Sequence, residues 1–111
     1  MTTPEPPKTI RRFFILNNCS ISLQILPLSQ SENKERIEII DKVIAYITSN
    51  HNNVVISPFE TVIEGDFDEL MATLKQCIII AGENCDNIFA NVKINYGSIL
   101  TIDEKLSKFT S

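Results

Sequence analysis

The 111-residue sequence predicts an α+β sandwich in which two helices cover one face of a four-stranded antiparallel sheet. Three observations carry that expectation. Apolar residues recur at every second position over two stretches, near residues 19–26 and 88–95. Two intervening stretches repeat apolar residues at three-and-four spacing, and a pair of short β-branched runs flanks a proline between them.

In the first strand Ile21, Leu23 and Ile25 point one way while Ser20, Ser22 and Gln24 point the other, and Pro27 ends the run. Ser29, followed three residues later by Glu32, has the form of a capping box. Beyond it Ile37, Ile40, Ile44 and Ile47 form the apolar stripe of the first helix, which stops near Asn50 in an Asn-His-Asn-Asn turn. Val54-Val55-Ile56 and Thr61-Val62-Ile63 read as a hairpin around Ser57-Pro58-Phe59-Glu60.

Asp66 with Glu69 marks the start of the second helix, whose apolar positions are Leu70, Met71, Leu74, Ile78 and Ala81, with Gly82 as its stop. The last strand runs from Ile88 to Asn95 and turns at Tyr96-Gly97. Thr101 with Glu104 caps a short C-terminal helix that docks through Ile102, Leu106 and Phe109. The order strand, helix, strand, strand, helix, strand is the split βαβ, or ferredoxin-like, arrangement. Its helix-free face carries Ser20, Ser22, Gln24, Phe89, Asn91 and Lys93, a mixture suited to a subunit contact, a ligand or water.

Composition narrows the function. Hydrophobic residues at 43% and charged residues at 22% are those of a globular domain with a real core. A length of 111 residues supports one domain, placed at residues 18–111, behind an N-terminal extension of residues 1–17. Pro4, Pro6 and Pro7 make that extension mobile at least to residue 10. No apolar run approaches the about 18 residues of a membrane span, and the Phe13–Leu16 run is too short for a signal peptide, so a cytoplasmic location is expected. A net charge of -4 with scattered basic residues excludes a phosphate-backbone footprint, and with it nucleic acid as a partner.

Catalysis is not expected. The single histidine, His51, sits at a helix end without a paired nucleophile, and there is no HExxH, CxxC or glycine-rich phosphate loop, hence no metal site. Cys19, Cys77 and Cys85 read as small buried hydrophobes. An acylphosphatase-like anion cradle would want an arginine after the first strand, where the chain has Pro27-Leu28-Ser29-Gln30.

The segment from Ser57 to Glu69, Ser-Pro-Phe-Glu-Thr-Val-Ile-Glu-Gly-Asp-Phe-Asp-Glu, resembles the signature of the YkoF-like thiamine-binding family, which typically reads Pro-Met-Gly-Thr-x-x-Glu-Gly here. Ser22–Leu28, Val92–Asn95 and Thr101–Leu106 resemble the family in order and spacing, so the likeness spans about residues 19–109. Phe59 stands where methionine is usual, and Glu60 where glycine is usual. The resemblance implies a non-enzymatic binder of thiamine or its hydroxymethylpyrimidine part, with no further cofactor, assembled through its sheets as a dimer or dimer of dimers.

An aminopyrimidine pocket needs paired hydrogen-bonding groups beside an apolar or aromatic surface. With the resemblance, the candidate ligand residues are Ser22, Thr61, Glu64 and Asn91 for polar contact and Phe59 for stacking, around a cavity where the second hairpin arm meets the following helix. Each also has a plainer reading: Ser22 and Asn91 as strand surface, and Glu64 as negative charge at a helix start. Strict alternation places Thr61 and Glu64 on opposite faces of a flat strand, so sharing a pocket requires a bend near Gly65. The alternative function is an oligomeric regulatory or scaffold module that binds another small metabolite or none.

Overall fold

The computed structural model describes residues 18–28, 32–99 and 102–110. The expected N-terminal extension and the capping positions Ser29 and Thr101 lie outside the described residues. The elements are β1 (Cys19–Pro27), α1 (Asn33–Asn50), β2 (Val54–Ile56), β3 (Thr61–Gly65), α2 (Phe67–Gly82), β4 (Ile88–Tyr96) and α3 (Ile102–Thr110). The strands form one antiparallel sheet in the order β2-β3-β1-β4, which is the ferredoxin-like layout the sequence predicts.

Alternation in β1 places Cys19, Ile21, Leu23 and Ile25 in the core, where Ile63 of β3 joins them directly opposite Ile21. Helix α1 closes this layer with Ile39, Val43 and Ile47, and α2 with Leu70, Thr73, Cys77 and Ala81. Both sets recur every three or four residues, so each helix turns one continuous stripe to the sheet.

The stripes differ from those expected. On α1 the buried positions are Ile39, Val43 and Ile47 rather than Ile37, Ile40, Ile44 and Ile47: Ile37 is 56% exposed, and Ile40 and Ile44 are half-buried along one flank. So many isoleucines share this helix that periodicity alone admits more than one stripe, and packing on the sheet selects among them. On α2 Ile78 is exposed, whereas Thr73 is buried because its Oγ1 lies 2.6 Å from Nε2 of His51. His51 also ends α1, its backbone N–H donating to the carbonyl of Ile47. Burial lowers the His51 pKa from its ordinary value, against an opposing pull from Glu69.

The helix ends show which local signals prevail. Asp66 is the N-cap of α2 and accepts from the Glu69 N–H at 3.2 Å, as expected. Glu32, expected as the third helical residue of a capping box, is itself the N-cap of α1 in extended backbone, with no side-chain cap bond. Gly82 is the last residue of α2, with the right-handed Glu83 as C-cap, so it provides no left-handed cap. Gly97 does adopt φ 111° in the turn after β4, where its N–H donates to the Asn18 carbonyl.

The face opposite α1 and α2 is not open throughout, contrary to expectation. Ser20 and Glu64, directly paired across β1 and β3, are each only 5% exposed. The Glu64 carboxylate accepts from the Ile102 N–H, so α3 begins on this side of the sheet. Further along the same face Phe89, Asn91 and Lys93 remain exposed. The three cysteines are buried and free, and burial pushes the Cys77 thiol up to about 11, which keeps it neutral near pH 7. Among the described residues no helix is long and apolar enough to cross a membrane.

Candidate functional site

The β2–β3 connection is tight. Ile56 pairs with Thr61 at the end of the ladder, and the Ser57 N–H donates to the Glu60 carbonyl at 3.0 Å, leaving Pro58 and Phe59 as the two turn residues. Proline fixes φ near -65°, which excludes the left-handed turns usual at two-residue hairpins, and no described residue other than glycine has positive φ. Ser57 compensates with its side chain: Oγ donates to the Glu60 carbonyl at 2.7 Å and accepts from the Glu60 N–H at 3.2 Å.

This turn stands over the flank of α1 beside an open cavity of about 270 Å³. Its floor is made by buried core residues, among them Leu23 and Ile25 of β1 and Val43 and Ile47 of α1. Ile40 and Ile44 form the α1 wall, and Ser57 to Thr61 form the other. The two isoleucines that packing turned away from the sheet thus face the turn instead. The volume lies just below the roughly 300–1,000 Å³ usual for small-molecule pockets and suits one small ring system.

The five candidate residues separate into distinct places. Phe59 and Thr61 line the cavity together: Thr61 is buried in its wall, and Phe59, 80% exposed, stands at its rim. Glu64 lies on the opposite face of the sheet, in a smaller hollow of about 170 Å³ beside Asn53, Val55 and the first turn of α3. The strand does not bend to bring it round: Ile63 remains in the core between the two, so the alternation holds. Ser22 and Asn91 share Glu64's side, Ser22 opposite Val62 and Lys93, and Asn91 donating from Nδ2 to Gln24 Oε1 at 3.1 Å. Among the described residues, Ser22 Oγ is a buried side-chain oxygen without a hydrogen-bond partner.

The 270 Å³ cavity lies at the start of β3, not at the junction of β3 with the following helix where the sequence placed it. The Phe67 N–H donates to Asn18 Oδ1 at 2.9 Å, and the Phe67 ring meets Tyr96 edge-on with centroids 4.8 Å apart. The cavity opens toward the preceding helix because Thr61 begins the strand on the core face, at the end nearest α1. Ile40 and Ile44, missed as lining residues, differ in sequence from core isoleucines in nothing but their angle round the helix.

Among the described lining residues Glu60 is the one charged residue. One of its carboxylate oxygens stands 4.0 Å from Lys93 Nζ, with side-chain exposures of 37% and 82%. So exposed a pair is worth little, at most about 1 kcal/mol.

A family model described as "Thiamine-binding protein" matches residues 21–110. The chain belongs to the thiamine-binding protein family. It is 37% identical over 97 residues to a UPF0045 protein of Clostridium perfringens, covering 85% of this chain and 99% of that one. It is also similar to solved structures. A Streptococcus pneumoniae protein superposes with TM-score 0.70 at 56% identity, over 80% of this chain and 97% of that one. A Thermotoga maritima protein provisionally assigned to thiamine biosynthesis or salvage superposes with TM-score 0.73 at 27% identity, over 82% and 97% of the two chains.

Proposed function

We propose that this chain binds thiamine, or the hydroxymethylpyrimidine part of it, without chemical conversion, in buffering, delivery or sensing. The observation that carries the reading is that the turn Ser57–Thr61, whose Pro58 and Thr61 match the family pattern, forms one wall of a cavity whose remaining surface is largely aliphatic. A flat heterocycle fits such a slot through apolar contact on its faces and a few polar groups at its edge. Family membership and the salvage assignment of the Thermotoga relative support the same ligand class.

In this reading Thr61 supplies an edge hydrogen bond and Phe59 covers the mouth of the cavity. Glu64 is assigned to holding α3, and Ser22 and Asn91 to the sheet face through which a second copy packs. That last assignment expects a dimer or dimer of dimers, because a half-covered sheet with two edges leaves surface for pairing. Sedimentation should therefore give a mass above that of the monomer at micromolar concentration, and a monomer alone would refute it.

Calorimetric titration of the folded protein with thiamine, hydroxymethylpyrimidine and unrelated metabolites tests the ligand. Saturable binding of the first two is expected, weakened about tenfold by Thr61→Val, the loss of roughly one hydrogen bond in a partly dry site. Absence of heat with every compound would instead favour a scaffold module without a ligand.

A further inference from the structure

We infer that the apolar run Phe13-Phe14-Ile15-Leu16, which precedes β1, docks in the groove between α2 and β4 of its own chain. The run lies before residue 21, where the family match begins, and the groove shares no residue with the ligand cavity. The inference therefore stands apart from the proposed ligand.

Two flanks build the groove. Thr73 turns one side of α2 toward α1 through His51, and the Phe67 ring turns the other toward β4, where it meets Tyr96. Phe67, Met71, Leu74 and Ile78 recur at intervals of three and four residues, so they continue that second side along the helix. Facing them on β4 are Val92, Ile94 and Tyr96, whose cross-strand partners Leu23, Ile21 and Cys19 are core residues and fix their side of the sheet. β4 is an edge strand, and among the described residues no further strand pairs beyond it. Val92 packs against the core, but Ile94 is 51% exposed, Tyr96 63% and Ile78 40%. Scattered apolar residues at a surface are ordinary, whereas these join Phe67 and Met71 in one strip.

The point where the chain enters the fold selects the occupant. The Asn18 carbonyl accepts from the Gly97 N–H at 2.8 Å, and its Oδ1 accepts from the Phe67 N–H at 2.9 Å, so β1 begins at the Phe67–Tyr96 end of the strip. At about 3.5 Å per residue, Leu16 reaches no farther than about 7 Å from Asn18, and Phe13 no farther than about 18 Å. The strip from Phe67 to Ile78 is about 16 Å long at the helical rise. Four consecutive large apolar side chains are costly in water, and the uncovered apolar surface within their reach relieves that cost. Arg11 and Arg12, just before the run, mark where apolar contact ends.

The chain has no tryptophan, so Phe13→Trp and Phe14→Trp each place a single indole in the run. Neighbours in an extended run point to opposite sides. Acrylamide quenching of the full chain should find one of the two indoles about threefold less accessible than the same indole with Ile94→Glu added, as for a ring with most of its surface removed from water. Ile78→Glu, at the far end of the strip, should release it likewise, while Ile79→Glu, on the outer side of α2, should leave it protected. All three are exposed positions, so each variant keeps its core. Protection should persist on about hundredfold dilution, since a contact within one chain does not follow mass action. Two indoles as open as in the urea-unfolded chain would overturn the inference. So would protection that neither Ile94→Glu nor Ile78→Glu removes, which would put the run elsewhere, or protection lost on dilution, which would give the groove to a second copy.

Discussion

Replacing Leu70 with alanine should lower the folding free energy by about 3 kcal/mol, within the 2–5 kcal/mol typical of large-to-small changes at closed sites. Leu70 is fully buried at the first turn of α2, one residue group among the core of Ile21, Ile47 and Ile63, so the lost methyl groups leave a void that rigid neighbours fill only in part. Urea unfolding would show it as a lower midpoint with an unchanged slope. Ile37→Ala is the informative comparison. The isoleucine periodicity puts Ile37 in the core, but it is 56% exposed, and its truncation should change stability by no more than about 0.5 kcal/mol. Equal losses from the two variants would contradict the packing described for α1 and α2.

The largest effect on binding should come from filling the cavity. Ile44 is half-buried on the α1 wall, facing the turn rather than the sheet, so Ile44→Trp puts a bulky indole into the 270 Å³ space while leaving the core stripe of Ile39, Val43 and Ile47 untouched. Affinity for thiamine and hydroxymethylpyrimidine should fall by about a hundredfold or more, since the ligand and the indole compete for one volume. Folding free energy should move by less than about 1.5 kcal/mol, because the added ring enters vacant space and not packed core. Ile79→Trp, on the exposed side of α2, is the control and should bind as the wild type does. Undiminished affinity in Ile44→Trp would place the ligand elsewhere.

Much of the fold was legible because its signals are local and agree with one another. Alternation from Cys19 to Pro27 and from Ile88 to Tyr96, the Asp66 cap and the turn at Gly97 each depend on residues within a few positions. The α1 stripe was not, since it is chosen by contact with a sheet assembled from distant strands. The site divides in the same way. Thr61 and Phe59, named as candidates beside the likeness to the family's loop, line one cavity, and their separation from Glu64 was implicit in the period of two. What no local pattern could supply was that Glu64 would be engaged by an amide 38 residues later, or that Ile40 and Ile44 would face Ser57–Thr61.

Under the proposed function, the cavity's walls would also tie a bound guest to the folded state of the chain. Strand β1, the middle of α1 and the hairpin turn meet only in the completed fold, and none of them presents the slot alone. A guest lodged there braces three separate stretches of backbone at once and has nothing to hold when the chain opens. At a hundredfold excess over its dissociation constant such a guest adds about 2.7 kcal/mol to the native state. Under the proposed function, the filled protein would therefore open less often than the empty one, which a rise in the urea midpoint with added thiamine would show.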